Sequence, residues 1–256
     1  MAAGDQVAAT YLTRPTGVRG AVWHAVDIRD HQQVADLAIA IRPNVVINAA
    51  YQKADWASTA DGAVHVALAA ASVAARLVHV SSDAVFSGAA IRYDETSSPD
   101  PTTPYGAAKA AAETAIKAIS PSAVIARTSL IIGDGGSVHE RRVHALAAGR
   151  TTGALFTDDV RCPVHVAGLA AALLELAASD HAGIHHIAGT DAVSRHELGT
   201  LIAGRDGLDA AALPAGRRAD ATLPGPIDVR LDCTITQQRL RTKLRGAREF
   251  LGRHIE

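Results

Sequence analysis

The stretch "RLVHVSSDAVFSG", Arg76 to Gly88, decides the architecture. Arg76 to Ser82 is a short apolar run that ends on two serines, which reads as a buried strand with polar side chains at its carboxyl end. Similar runs recur at "QVAATYL" (Gln6 to Leu12), "NVVINAA" (Asn44 to Ala50) and "SAVIARTS" (Ser122 to Ser129). Alanine-rich helical stretches separate them: "DHQQVADLAIAI" from Asp30, "GAVHVALAAASVAA" from Gly62 and "AAKAAAETAIKAI" from Ala107. Asp30 stands where it can cap the first, with Gln33 three residues on. Continuous apolar strands alternating with helices predict a parallel sheet covered on both faces, and right-handed crossovers make it a doubly wound α/β fold. The second half is less regular. It holds the helical stretches "HVAGLAAALLELAAS" and "SRHELGTLIA", a short strand "GIHHIAG", and a long surface segment from Arg205 to Asp228.

The chain has 256 residues, 48% hydrophobic and 20% charged, as an ordinary globular protein does. A formal net charge of −1 gives no electrostatic reason to expect nucleic acid or an anionic membrane as partner. Cys162 and Cys233, far apart, match neither a disulfide framework nor a zinc set. The 12 histidines show no ligand spacing, and solvated or hydrogen-bonded rings are expected; no metal is. Without a signal peptide or an apolar run long enough to span a bilayer, the cytoplasm is the expected compartment.

Chemistry concentrates in "TPYGAAK", Thr103 to Lys109, which sets Tyr105 and Lys109 four residues apart on one helix face. Ketone reduction needs a proton on oxygen as hydride reaches carbon. A phenol with an ordinary pKa of about 10 is a reluctant donor, and a neighbouring ammonium lowers that value. Ser82, at a strand's carboxyl end where open α/β sheets bind ligands, can hold the carbonyl oxygen as charge builds on it. A lone Tyr-x-x-x-Lys is often no more than helix surface; the upstream Ser-Ser raises the catalytic reading above that.

The run from "LVHVSSDAVFSG" to "YDETSSPDPTTPYGAAKAAAE" resembles the extended short-chain dehydrogenase/reductase superfamily, and more narrowly its dTDP-4-dehydrorhamnose reductase-like branch. The resemblance continues through "ARTSLIIG", "DDVRCPVHVAGLAAALLELA" and "PIDVRLDC". It implies a Rossmann-like nucleotide-binding domain over 1–132 and a mainly substrate-binding region over 133–256, interleaved with the sheet. It also implies NADP as cofactor, with NAD the other candidate, a nucleotide-sugar substrate, and room for a homodimer. Ser82, Tyr105 and Lys109 fall on the catalytic positions; Asp27 and Ile28 fall on an adenine-contacting pair. Asn48, Ala49, Ala50 and Tyr51 lie in the segment along the cofactor, which Tyr105 and Lys109 also touch, and Arg14 can meet a 2′-phosphate. Ser82, Asp83, Arg161 and Arg230 are the expected substrate contacts; Arg217 and Arg218 read rather as solvated surface.

The chain departs from the family at its beginning. The family opens with a strand, a Gly-x-x-Gly-x-x-Gly turn and a helix, whereas only Met1 to Asp5 precede the first strand here. Gly4 alone cannot rebuild a loop whose N–H groups receive a diphosphate. The start therefore lies downstream of the true one, or the chain binds cofactor poorly; the intact catalytic positions favour the former. The absent strand is central, so its neighbours are expected to expose unpaired edges or to close up. Smaller departures are Ala84 in place of an aromatic, Thr59 in place of an asparagine, expected to make fewer hydrogen bonds, and Leu130 in place of a tryptophan. Two functions follow: an NADP-dependent reductase of a 4-keto nucleotide sugar, or a non-catalytic scaffold like the methionine adenosyltransferase β-subunit.

Overall fold

The computed structural model describes residues 6–15 and 17–252. Gly4, singled out above, lies outside the described residues. The main elements are β1 (Val7–Tyr11), β2 (Ala21–Ala25), α1 (His31–Ile41), β3 (Val45–Asn48), α2 (Gly62–Ser72), β4 (Arg76–Ser82), α3 (Pro104–Ile119), β5 (Val124–Thr128), α4 (Val138–Ala147), α5 (Val166–Ala177), β6 (Gly183–Ile187) and α6 (Arg195–Asp206). A four-stranded sheet of order β3-β4-β5-β6 is parallel throughout. Strands β1 and β2 form a separate parallel pair.

Local chemistry sets the element ends. The Asp30 carboxylate accepts the N–H groups of Gln32 and Gln33, at 3.0 and 3.1 Å. The Gln33 amide donates to that carboxylate at 2.8 Å instead of reaching the Asp30 backbone, so only half of the expected capping box forms. Arg42 ends α1 in the left-handed region (φ 47°), and Pro43 follows. Helix α2 is apolar nearly all round because it is buried nearly all round. Ala63, Val66, Ala67, Ala69 and Ala70 pack with Leu77 of β4 and Ile116 of α3. On the other face of the sheet Val78 and Val124 meet Leu169, Leu173 and Leu176 of α5. Helices thus cover both faces, as a doubly wound sheet requires. A smaller third core joins Leu130 and Ile132 to Val143, Leu198, Ile202 and Leu251.

The expected surface segment is more structured than its composition suggests. Ala215–Gly216 pairs with Leu155–Phe156, and the Arg218 guanidinium turns inward onto Asp159 at 3.2 Å, correcting its reading as solvated surface. Strand β3 also differs from the buried strand expected, since Val45 and Ile47 are 37% and 39% exposed. Among the described residues its only strand partner is β4, and that of β1 is β2. Of the two outcomes expected for a missing central strand, the unpaired edges are the one observed. No helix among the described residues is long and apolar enough to cross a membrane.

Three of the histidines are neither solvated nor fully bonded: His79, His185 and His186 are completely buried. Burial pushes His79 down to about 3 and His185 down to about 4, with the charges of Lys109 and Arg239 next in effect. As pH falls from about 6.5, the ordinary imidazole value, towards these lowered values, the unfolded chain takes up protons that the fold refuses. Stability should therefore drop by up to about 1.4 kcal/mol per pH unit for each ring across that window. Thermal midpoints recorded from neutral pH down to about 5 test this; a flat profile would refute it. Both ring nitrogens of His185 lack a hydrogen-bond partner, so His185→Leu should flatten the slope at little cost near neutrality.

Candidate active site

The carboxyl ends of β3 and β4 and the start of α3 converge. Ser82 closes β4 opposite Thr128 of β5. Its Oγ accepts the Ala84 N–H at 3.2 Å and donates to Asp83 at 3.3 Å, turning the chain sharply at the strand end. Thr103 caps α3 by accepting the Gly106 N–H at 3.1 Å, with Pro104 at the first helical position. Gly106 lets that first turn press on the bend after β4: a Cβ there would lie 2.0 Å from the Ala84 carbonyl oxygen. This approach brings the Tyr105 hydroxyl near enough to the Ser82 side chain for the serine to act on its pKa. Gly106→Ala should cost about 1–3 kcal/mol by overpacking and should lower turnover as Tyr105 moves off Ser82. Melting and rate measurements check it; a variant normal in both would mean that the contact positions nothing.

One turn on, Lys109 is 2% exposed and its Nζ donates to the Val80 carbonyl at 3.0 Å. The same ammonium lies 5.1 Å from the ring centre of Tyr51, and the Tyr51 and Tyr105 rings are 5.8 Å apart. Tyr51 is held there because Asn48, at the end of β3, accepts the Ala50 N–H at 3.2 Å while its amide meets His79 at 3.2 Å. Ser82, Tyr105, Lys109 and Tyr51 therefore share one edge of the sheet, with the small exposed residues Ala49 and Ala50 beside them.

The electrostatics differ from the expected acidified phenol. Burial, then the neighbouring Tyr51, raises the Tyr105 pKa, with the Ser82 hydrogen bond opposing them. Burial lowers Lys109 to about 8, with Glu113 opposing. Near neutrality the site thus holds a protonated phenol beside an ammonium that is close to titrating.

The other expected contacts are more dispersed. Asp27 is gripped by Arg29, at 2.6 Å from Nη2, which holds its carboxyl down at about 2. Ile28 packs under Gly62, where a Cβ would meet it at 2.8 Å. Arg14 is exposed in the loop after β1. Asp83 is buried and accepts the Ser129 hydroxyl at 2.6 Å. The Arg161 guanidinium is spent on the carbonyls of Val160, Ile227 and Pro226, at 2.7, 2.9 and 2.7 Å, and on Asp159 at 2.9 Å. Arg230 is paired with Asp228 at 2.7 Å, and Arg217 is exposed near Asp158. Thr59 makes two bonds to the Gln52 backbone, 2.8 and 3.3 Å long.

Glu113 went unnoticed in the sequence. Its carboxylate receives Arg127 through both Nε and Nη2, at 3.0 and 2.8 Å, and the Ser81 hydroxyl at 2.6 Å, with Glu113 and Arg127 both 1% exposed. The usable signal was a glutamate one turn after Lys109 together with a lone arginine inside the apolar strand "VIART".

A nicotinamide cofactor fits this site in part. Tyr51, Ala49, Ala50 and the Tyr105–Lys109 face can border the nicotinamide end. Among the described residues no glycine turn at a central strand offers backbone N–H groups to a diphosphate; that position is a cleft. A doubly wound sheet with Ser, Tyr and Lys at its carboxyl edge defines a Rossmann-like protein of the dehydrogenase/reductase class. The chain belongs to the RmlD substrate binding domain family, whose model matches residues 2–256.

Among its relatives, dTDP-4-dehydrorhamnose reductase of Mycobacterium tuberculosis is 38% identical over 169 residues, covering 59% of this chain and 56% of that one. The methionine adenosyltransferase 2 β subunit of Xenopus laevis is 27% identical over 232 residues, covering 83% and 70%. The structure of dTDP-4-dehydrorhamnose reductase from Bacillus anthracis in complex with NADP superposes with a TM-score of 0.84, covering 96% of each chain at 24% identity, and shows the shared fold.

Proposed function

We propose that the protein is an NADP-dependent reductase of a 4-keto nucleotide sugar, of the dTDP-4-dehydrorhamnose reductase kind. The observation that carries this reading is the convergence of Ser82, Tyr105 and Lys109 at the carboxyl end of β4 and the start of α3, with Lys109 donating to the Val80 carbonyl at 3.0 Å. When bound, reduced NADP supplies hydride to the carbonyl carbon. Ser82 holds the carbonyl oxygen, and Tyr105, whose raised pKa keeps it protonated, gives its proton to that oxygen. The Lys109 ammonium favours the phenolate left behind. A scaffold has no evident use for these three groups together, which favours the reductase over the second function. In this reading residues 133–256 chiefly bind the sugar nucleotide around the third core, and Arg230 at the surface is better placed for its diphosphate than Arg161. The cytoplasm and a homodimer belong to the same reading.

The test is NADPH consumption on dTDP-4-dehydrorhamnose, with cofactor at high concentration. A product carrying a new hydroxyl at the former ketone is expected. Folded protein that consumes no NADPH under those conditions would sink the proposal.

A further inference from the structure

Positive charge is left over beside the catalytic edge. The buried Asp159 carboxylate faces Arg161 at 2.9 Å, Arg195 at 3.4 Å and Arg218 at 3.2 Å. A second buried acid, Asp83, lies 3.7 Å from the Arg161 Nε. Asp158 is taken up by the N–H groups of Arg218 and Ala219 and by Arg217. Three guanidiniums thus meet two carboxylates, and one positive charge stays without a counter-ion in a cluster buried enough for that to be costly.

Arg195 is the member with donors to spare. It opens α6, its Nε faces Asp159, and its Nη1 meets His139 Nδ1 at 3.5 Å, while its Nη2 has no partner among the described residues. The side chain is 24% exposed, so a ligand can reach it. His139, the second residue of α4, is neutral near pH 7, because burial, then the charges of Arg195 and Lys53, bring it down to about 4. With Nδ1 accepting from Arg195, the neutral ring carries its proton on Nε2, a further donor. Lys53, two residues beyond Tyr51, is exposed and forms no ion pair among the described residues. Solvent screens most of its charge, yet it is close enough to act on His139. The amino-terminal ends of α4 and α6 add their dipoles to the same cluster.

We propose that Lys53, His139 and Arg195 form a subsite for a carboxylate on the substrate's sugar ring, so that the favoured substrate is the nucleotide of a keto sugar acid. This rests on the reading of the site as one for a keto nucleotide sugar. A carboxylate sets two oxygens against the guanidinium fork and brings the single negative charge that the cluster lacks. A sugar hydroxyl leaves that charge unanswered, and a diphosphate overshoots it. The placement suits the ring itself: Asp83 directly follows Ser82, and Lys53 stands two residues from Tyr51, so both walls of the subsite adjoin the groups that act on the carbonyl.

The experiment titrates the full chain calorimetrically with dTDP-glucuronate and with dTDP-glucose, which differ only in a carboxylate replacing a hydroxymethyl group. The acid should bind at least about tenfold more tightly, the effect of one charge-assisted hydrogen bond. Arg195→Gln should bind the two sugars alike, and Arg195→Lys should keep part of the preference. Lys53→Gln, at an exposed side chain with no ion pair to lose, should reduce the preference even if Arg195→Gln melts early. Equal affinity of the wild type for both sugars overturns the proposal. So does an equal loss of both in Arg195→Gln, which would give the cluster to the shared diphosphate. Binding of neither sugar overturns the subsite together with the sugar-nucleotide reading. A preference for the acid in a protein that consumes no NADPH upholds the subsite and counts against the reductase reading alone.

Discussion

Tyr105→Phe should lower kcat by about 10²–10⁴-fold, the range that positioned proton donors contribute, while KM and the melting temperature change little. The ring stays in place beside Tyr51, 5.8 Å away, so the substitution removes a hydroxyl and no packing. The alternative donors are weaker candidates. Ser82 already donates to Asp83 at 3.3 Å, and the Lys109 ammonium is turned to the Val80 carbonyl at 3.0 Å. The pH dependence separates the roles. Because Lys109 titrates at about 8, the wild-type rate should fall above that pH as the ammonium is lost, whereas Tyr105 stays protonated throughout. NADPH-coupled rates of both proteins against pH, under conditions where the wild type turns over, decide it. A variant that keeps more than roughly a tenth of wild-type kcat would remove the Tyr105 proton from the mechanism.

What the sequence could and could not show divides along a physical line. Arg76 to Ser82 was legible to the residue, because a parallel strand buried on both faces has one compositional signature and its end was marked by two serines. The Tyr105–Lys109 pair was legible as a helical repeat, and its neighbour Ser82 as a strand end, since both facts are local. Gly106 was not, because its meaning lies in a carbonyl twenty-two residues earlier whose approach only the fold creates. Nor was the sign of the shift at Tyr105: the sequence places a cation one turn away, but burial, which raises the pKa, depends on everything packed above it. Arg161 was expected as a substrate contact, yet three backbone carbonyls claim its guanidinium, and no sequence pattern announces a carbonyl cluster. Strand β3 looked buried because its own residues are apolar; its exposure comes from the cleft beside it.

Glu113→Ala should destabilise the protein by about 3–5 kcal/mol, the cost of stranding one partner of a buried ion pair. That is a large share of the about 5–15 kcal/mol that holds a domain folded. Arg127 would remain 1% exposed with only the Ser97 carbonyl, at 3.1 Å, and the Phe86 ring to face. The Ser81 hydroxyl would lose its acceptor as well. Replacing both partners, Glu113→Leu with Arg127→Met, should recover most of the loss, because neither charge is then left buried alone. Activity should not recover in step. The carboxylate ties α3 to β4 through Ser81 and to β5 through Arg127, and so fixes the roll of the helix that carries Tyr105 beside the residue after Ser81. An apolar pair fills the space without fixing that angle, so the double variant should melt near the wild type yet keep a lowered kcat at similar KM. Denaturant midpoints and steady-state rates test the two halves separately. An unchanged midpoint in Glu113→Ala would show that the pair carries no net stability, and full kcat in the double variant would show that packing alone aligns Tyr105.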